Sequence, residues 1–400
     1  MKKKILVVSF NFWPENFPIN EFTKYLSIKK CAITVLTGKP NYPLGQIFNG
    51  YSKYFVEREI YFKKISILRV PIIPRGSGNF VMRILNYFSF VFSALIFGSF
   101  YLRNKKFDHI YVYGTTPIIH SFVGIFFKYF KKAKLSIWLQ DLLPINALIS
   151  GYIKNLILLR IIEYFINFIY KKSDYIFIQS KFFIHLLKNK VPSNKIFYLP
   201  NFSPKILKLK KIKINNYNKN KFNICYFGNL GLVQEFNTLI KTAKRINNQN
   251  INFHLFGEGI SKKNIENEIK IKKIRNFFIH DYLNPKYLRY LLNQSSVLFV
   301  SLKKNKYLNF IAPSKLQLYM LSKKPLLGEI SGEGKRIINE SGAGVIVKQN
   351  SVNDMINKIN YLYKIKNTKE IKEFGISSFK YSKINFDIKI LVKNFLKIIR

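Results

Sequence analysis

The sequence predicts an α/β chain with two parallel sheets, one in each half. Two observations carry this. Short β-branched and aromatic runs recur with helical stretches between them, and the pattern starts again after a Lys/Asn-rich break near the middle. Length agrees: 400 residues with 48% hydrophobic content can bury a large core and suit about two domains.

In the first half the strand-like runs are KILVVSF (4–10), AITVLT (32–37), ISILRV (65–70), HIYVYG (109–114), LSIWLQ (135–140), YIFIQS (175–180) and KIFYLP (195–200). Residues 203–221, SPKILKLKKIKINNYNKNK, are weakly patterned and read as a linker. The second half resumes with NICYFGNLG (223–231), NFHLFGEG (252–259), NFFIHDYL (276–283), SVLFVSL (296–302), KPLLGEI (324–330) and AGVIVK (343–348). The expected organisation is a Rossmann-like domain over 1–202, the linker, a second Rossmann-like domain over 222–380, and a C-terminal helix over 381–400 packing back on the first domain.

Between Arg83 and Arg103 lie 19 residues without a charge. At about 1.5 Å per residue they approach the thickness of a bilayer core. A crossing would put strands of one parallel sheet on opposite sides of the membrane, so a crossover helix with an apolar outer face is expected instead. Asn86, Ser89 and Ser93 mark its polar face. PIIHSFVGIFFKYFKK (117–132) and YIKNLILLRIIEYFINFIYKK (152–172) share its aromatic, Lys-ended character. Together these helices suggest a domain that lies on a membrane interface.

The net charge of +47 invites a nucleic-acid reading, but the charge is spread. Residues 1–200 carry 29 Lys and Arg against 8 Asp and Glu, leaving 38 against 12 for the rest, and no nucleic-acid-binding motif is present. Cys31 and Cys225 are too few for a disulfide framework or a zinc site and fit a reducing cytosol. The start, MKKKILVVSF, has only five apolar residues before Ser9 and no small-residue cleavage site, so it reads as the first strand. The five histidines form no metal-ligand pair at helical spacing and there is no DxD motif, so no metal is expected. His120 reads as a packed side chain.

YFGNLGLVQEFNTLI (226–240) is the strongest site signal. A strand ends at Phe227, Gly228 and Gly231 let backbone approach a ligand, and a following helix directs its free N-terminal amides at an anion such as a diphosphate.

Here the chain resembles a known family, the retaining GT-B glycosyltransferases of the group 1, family 4 type. The nearest subgroup is the fucosamine-transferase-like enzymes of bacterial O-antigen and capsule synthesis. The resemblance runs from Lys3 to about Lys348. It rests on FWPENFPINEF, LTGKPNYPLGQIFNGY, PIIPRGSG, RILNYFSFVFSA, WLQDLLP, YFGNLGLVQEF, LFGEG, IAPSKLQLYMLSKKPLLG and GEGKRIINESGAG, in that order. It implies two Rossmann-like domains with parallel sheets facing across a cleft, a nucleotide sugar on the C-terminal domain, an acceptor on the N-terminal domain, and transfer without metal or cofactor.

Residue roles follow from the resemblance alone. WPEN stands where relatives place paired glycines, which puts Glu15, Asn16 and Asn20 on the N-terminal cleft loop. Lys39 and Arg75 fall on the acceptor side. Asp141 receives the acceptor's proton or holds the donor sugar, with helix capping as the rival reading. Gln140 takes the family's histidine position. Gly228, Asn229, Gly231, Gly257 and Glu258 belong to the donor site. The family's two glutamates would fall at Phe310 and Leu318, and its Arg and Lys at Asn229 and Gln234; all four are missing. Lys315 is the expected replacement cation, and Gln317 replaces the ribose contact.

The function expected is transfer of an N-acetylated deoxyhexosamine from a UDP-sugar to a polyprenyl-diphosphate-linked saccharide. The setting expected is the cytoplasmic face of the bacterial inner membrane, where the enzyme binds peripherally to anionic lipid. The rivals are a UDP-sugar epimerase and a non-enzymatic lipid- or nucleic-acid-binding protein.

Overall fold

The computed structural model describes residues 2–62, 64–141, 155–205 and 209–400. The chain divides into two compact units, Met1–Pro200 with Ile388–Arg400, and Asn201–Asp387.

Unit 1 holds an eight-stranded sheet. Its strands are β1 (Lys4–Val8), β2 (Ala32–Gly38), β3 (Glu57–Tyr61), β4 (Ile65–Val70), β5 (His109–Gly114), β6 (Lys134–Leu139), β7 (Tyr175–Ile178) and β8 (Ile196–Tyr198), in the order β3-β4-β2-β1-β5-β6-β7-β8. Neighbours pair in parallel except β3 with β4. Ile5 to Val8 are fully buried, as expected of a central strand covered on both faces. β3 is the strand absent from the sequence reading. EREIY lacks an apolar alternation, because this edge strand presents carboxylates to neighbours: Glu57 pairs with Lys39, and Glu59 with Arg69.

Among the helices of unit 1, four bear on the site and its surface. α1 (Pro18–Ile28) opens on Pro18 after the WPEN turn. α2 (Phe80–Leu102) is the crossover between β4 and β5, and Asn79 caps it by accepting from the Met82 amide at 2.9 Å. α3 (Ser121–Phe130) and α4 (Leu156–Lys172) complete this side. Both ends of α2 feed parallel strands of one sheet, so the helix does not divide its neighbours across a bilayer. Its polar face turns inward as expected: Asn86 is buried and donates to the Ile73 carbonyl at 2.6 Å, while Ser89 accepts from the Ile73 amide at 3.0 Å.

The last helix, Ile388–Ile398, belongs to unit 1. Its Phe395 is fully buried among the rings of Tyr111 at 4.7 Å, Phe177 at 4.9 Å and Phe22 at 5.5 Å. Helix Lys369–Asn385 runs through residue 380, so the chain leaves unit 2 later than the sequence reading places it.

Unit 2 holds a six-stranded, all-parallel sheet. The strands are β9 (Phe222–Phe227), β10 (Ile251–Phe256), β11 (Phe277–His280), β12 (Val297–Ser301), β13 (Leu326–Glu329) and β14 (Gly344–Ile346), ordered β11-β10-β9-β12-β13-β14. The chain leaves β9 to one side and returns to β12 on the other. The carboxyl end of β9 is therefore the topological switch point, where open α/β sheets bind ligands.

Candidate functional site

The turn after β9 lies at that switch point. Gly228 has φ +130°, and a Cβ there would sit 2.6 Å from Cε of Lys315 and 3.1 Å from its Nζ. A side chain at Gly228 would thus displace the lysine. Lys315 stands in the first turn of α9 (Ser314–Met320, numbered in chain order after α5 at Phe183–Leu187, α6 at Asn237–Arg245, α7 at Lys262–Ile271 and α8 at Pro285–Gln294). Its Nζ lies 4.9 Å from the centre of the Tyr226 ring. Burial alone pulls its pKa down to about 8. A desolvated ammonium beside an exposed glycine turn is a strong anion ligand, since binding an anion restores the stabilisation that water had provided.

Three residues outside the sequence reading build this arrangement. The Tyr226 ring carries Lys315, and its hydroxyl donates to the Asn229 carbonyl at 2.6 Å. The buried Tyr319 hydroxyl accepts from the Phe227 amide at 2.8 Å, fixing the end of β9. Ser301 accepts from the Glu235 amide at 3.2 Å, tying the turn's far end to β12.

The structure corrects part of the phosphate-cradle expectation. Helix α6 begins at Asn237, and its first amide is taken by the Glu235 carboxylate at 2.8 Å. Three of the turn's amides are also occupied: Gly228 donates to Phe256 O, Leu230 to Glu258 O, and Gly231 to Gln234 Oε1 at 3.0 Å. The first amide of α6 and three amides of the turn are therefore taken within the protein, and Lys315 is the cation beside Gly228. Asn229 is exposed on the turn. Gly257 is explained by packing within the protein, because a Cβ there would lie 1.9 Å from the Gly228 carbonyl oxygen. Glu258 is exposed and pairs with Lys262 at 2.6 Å. Gln317 is buried, with its carboxamide turned back on the Pro313 and Ser314 carbonyls, so it does not offer a ribose contact in this conformation. Phe310 and Leu318 are partly buried and supply no charge.

In unit 1, Glu15 is an internal staple. Its Oε1 accepts from the Asn41 amide at 3.0 Å and the Tyr42 amide at 2.7 Å, its Oε2 from the Phe12 amide at 3.3 Å, and both oxygens from Asn11. Burial raises its pKa, and these hydrogen bonds oppose the rise. Asn20 is buried too, donating to the Glu15 carbonyl at 2.6 Å and accepting from the Trp13 amide at 3.1 Å. The WPEN turn is thus held by side chains, with Asn20 taking the Trp13 amide and Glu15 the amide of the preceding Phe12. Of the three loop residues expected to face a ligand, Asn16 alone is exposed. Lys39 is buried in a 2.5 Å ion pair with Glu57, which removes it as an acceptor contact. Arg75 is partly exposed, with its guanidinium 5.5 Å from the centre of the Tyr42 ring.

Asp141 stands just past the carboxyl end of β6, partly exposed, and its Oδ2 accepts from the Thr116 hydroxyl at 3.0 Å and amide at 3.3 Å. Its other oxygen has no hydrogen bond to the described residues. The helix it was expected to cap lies outside those residues. Gln140 has a buried Nε2 with no partner among the described residues, while Gln179 donates to its carbonyl at 3.0 Å. His120 is buried against the Tyr113 and Pro117 carbonyls.

Residues 208–376 match the family described as glycosyl transferases group 1. No curated protein matches the chain in sequence. Among solved structures, sucrose-phosphate synthase from Thermosynechococcus elongatus superposes with a TM-score of 0.73 at 11% identity, covering 99% of this chain and 98% of that one. A glycosyltransferase from Rickettsia africae gives 0.69 at 14% identity, with 100% and 98% covered. Anabaena HepE in complex with UDP and glucose gives 0.65 at 12% identity, with 99% and 98% covered. The chain thus has the GT-B fold, and its second unit carries a glycosyl transferases group 1 domain.

Proposed function

We propose that the protein is a retaining, metal-independent glycosyltransferase that moves an N-acetylated deoxyhexosamine from a UDP-sugar to a polyprenyl-diphosphate-linked saccharide in bacterial O-antigen or capsule synthesis. The observation that carries the donor half is the desolvated Lys315 ammonium at the Gly228 turn, inside the group 1 domain. It is a cation placed for a diphosphate. Solved neighbours of the same fold hold UDP and UDP-sugars. Asp141 accepts the acceptor hydroxyl's proton, a role that suits a partly exposed carboxylate with one oxygen free of hydrogen bonds to the described residues.

The acceptor half rests on the outer faces of α2, α3 and α4. Phe88, Phe92, Ile96 and Phe100 of α2 are exposed, as are Phe126 and Phe130 of α3 and Ile161 and Phe165 of α4. The helices adjoin: Gly98 of α2 meets the Phe127 ring, and Phe122 of α3 lies 6.0 Å from the Phe165 ring. Cations stand beside these aromatics, with Arg103 at Phe100, Lys131 at Phe130 and Lys172 at Phe168. Exposed aromatic and aliphatic side chains with basic neighbours suit an anionic lipid surface, where a polyprenyl acceptor resides. The enzyme therefore works as a peripheral protein on the cytoplasmic face of the plasma membrane.

The test is a thermal-shift screen against UDP, GDP and a panel of UDP-sugars, followed by transfer to a polyprenyl-diphosphate-linked saccharide. Stabilisation by UDP and by one UDP-sugar, with product on the lipid-linked acceptor, is the expected result. Stabilisation by none of them contradicts the donor assignment.

A further inference from the structure

Unit 2 carries a second basic cavity, at the end of its sheet away from Gly228 and Lys315. It has a volume of about 660 Å³ and lies at the amino ends of the strands, against Phe222 of β9 and the residues just before β12 and β13. β9 is six residues long, about 20 Å at 3.3 Å per residue, and separates this cavity from the Gly228 turn.

Lys221, Lys323, Lys324, Lys366 and Lys372 line it, and no Asp or Glu does. They come from four segments: the entry to β9, the turn before β13, the turn after α11 (Val352–Lys364, following α10 at Gly332–Ser341), and the first turn of α12 (Lys369–Asn385). Some other cations of unit 2 have carboxylate partners, as with Lys262 and Glu258, Lys272 and Glu268, and Arg336 and Glu333. The cavity lysines instead use neutral groups. Lys221 donates to the Gln249 carbonyl at 3.0 Å, Lys366 lies 3.6 Å from the centre of the Tyr363 ring, and Lys323 lies 4.7 Å from that of Phe379. Lys324 is half-buried, and burial lowers its pKa.

The backbone holds this gathering together. A Cβ at Gly375 would lie 2.0 Å from the Lys323 carbonyl oxygen, so a glycine is needed for α12 to pack on that turn and bring Lys372 to the cavity.

We propose that this cavity is a second binding site, specific for a small soluble compound bearing two or more linked phosphates. Five mutually repelling ammoniums around one space favour a multiply charged anion over a single phosphate. The volume suits a molecule of nucleotide size. Asn250, Gln294 and Asn367 add amide groups, and no lining residue is an exposed large hydrophobic, which favours a soluble ligand over a lipid.

The probe is tripolyphosphate, titrated into the full chain by calorimetry at about 0.15 M salt, where dispersed surface charge is largely screened. K366A/K372A alters two exposed side chains and should weaken binding about tenfold or more. K263A/K270A, an exposed pair on α7, should bind as the wild type does, and K315A should retain tripolyphosphate binding while losing UDP. Equal loss in both lysine pairs, or no loss in K366A/K372A, would overturn the site. Sedimentation with anionic vesicles should be the same for K366A/K372A as for the wild type; a parallel fall would assign the lysines to lipid phosphate and overturn the soluble-ligand assignment.

Discussion

The two units share a parallel-sheet design and differ in what their helices show to solvent. α6 of unit 2 exposes Asn237, Lys241, Lys244 and Arg245, while α2 of unit 1 exposes Phe88, Phe92, Ile96 and Phe100. Both cover a sheet with their inner face. A parallel sheet requires an apolar inner stripe and leaves the outer face undetermined, so α2's outer residues report on what surrounds unit 1. Among the described residues α2 is the helix long and apolar enough to cross a bilayer, yet it joins two strands of one sheet. A membrane surface suits both facts.

The units also treat buried acids differently. Glu15 of unit 1 is satisfied by backbone amides and Asn11. Glu329 of unit 2 is fully buried, accepts from the Asn350 amide at 2.9 Å and leaves Oε2 without a partner among the described residues. Burial, with nearby Glu235 adding to it, raises its pKa to about 7.

The largest expected effect separates chemistry in unit 1 from binding in unit 2. D141N keeps the side chain's shape and removes its charge, so kcat should fall about a hundredfold with UDP affinity unchanged. Steady-state kinetics beside a UDP titration decides it, and near wild-type kcat would reduce Asp141 to a structural residue.

The outer-face contrast is tested by F88S/F92S/I96S. Phe92 is 62% exposed, whereas Phe97 is half-buried and would confuse docking with folding. Co-sedimentation with anionic vesicles and transfer to a lipid-linked acceptor should fall about tenfold, while transfer to a short-chain soluble acceptor is spared. Equal loss on both acceptors would show that these side chains serve the fold. In wild type, high salt should release the protein from vesicles only in part and alkaline carbonate fully, because apolar insertion survives screening.

The last contrast concerns the two acids. Glu329's folded pKa, about 7, lies above its ordinary 4.5. Stability is therefore unimpaired below about pH 4.5 and lost as pH rises towards 7, where the buried carboxyl must ionise. E329Q should raise unfolding stability by about 3 kcal/mol at pH 8 and have little effect at pH 4.5. Denaturant titrations at the two pH values check this, with E15Q, which weakens a satisfied network, destabilising at both.

Every strand but β3 was legible in the sequence, because central parallel strands are continuous apolar runs. β3 was hidden by its charges, whose partners are Lys39, just past the end of β2, and Arg69 on β4. The same distance in sequence hid Tyr226 and Tyr319 from the site reading; the bond from the Phe227 amide to Tyr319 spans 92 residues. Lys315 was singled out because its motif resembles a family in which a cation is needed near the nucleotide. Glu15, Asn20, Lys39 and Gln317 were placed on ligands by the same resemblance, and the structure buries all four in internal contacts. A motif preserves residue identity, whereas burial depends on neighbours that the motif does not contain.

The central claim is that Lys315 binds the donor diphosphate in its charged form. Its pKa of about 8 means that the free protein loses this charge as pH rises through 8, while lysines near their ordinary value keep theirs. UDP should therefore be titrated by calorimetry into wild type and K315Q at pH 7 and pH 9.5. Wild type should bind at pH 7 and about tenfold more weakly at pH 9.5, and K315Q should bind weakly at both. K315Q binding UDP as tightly as wild type at pH 7 would contradict the account.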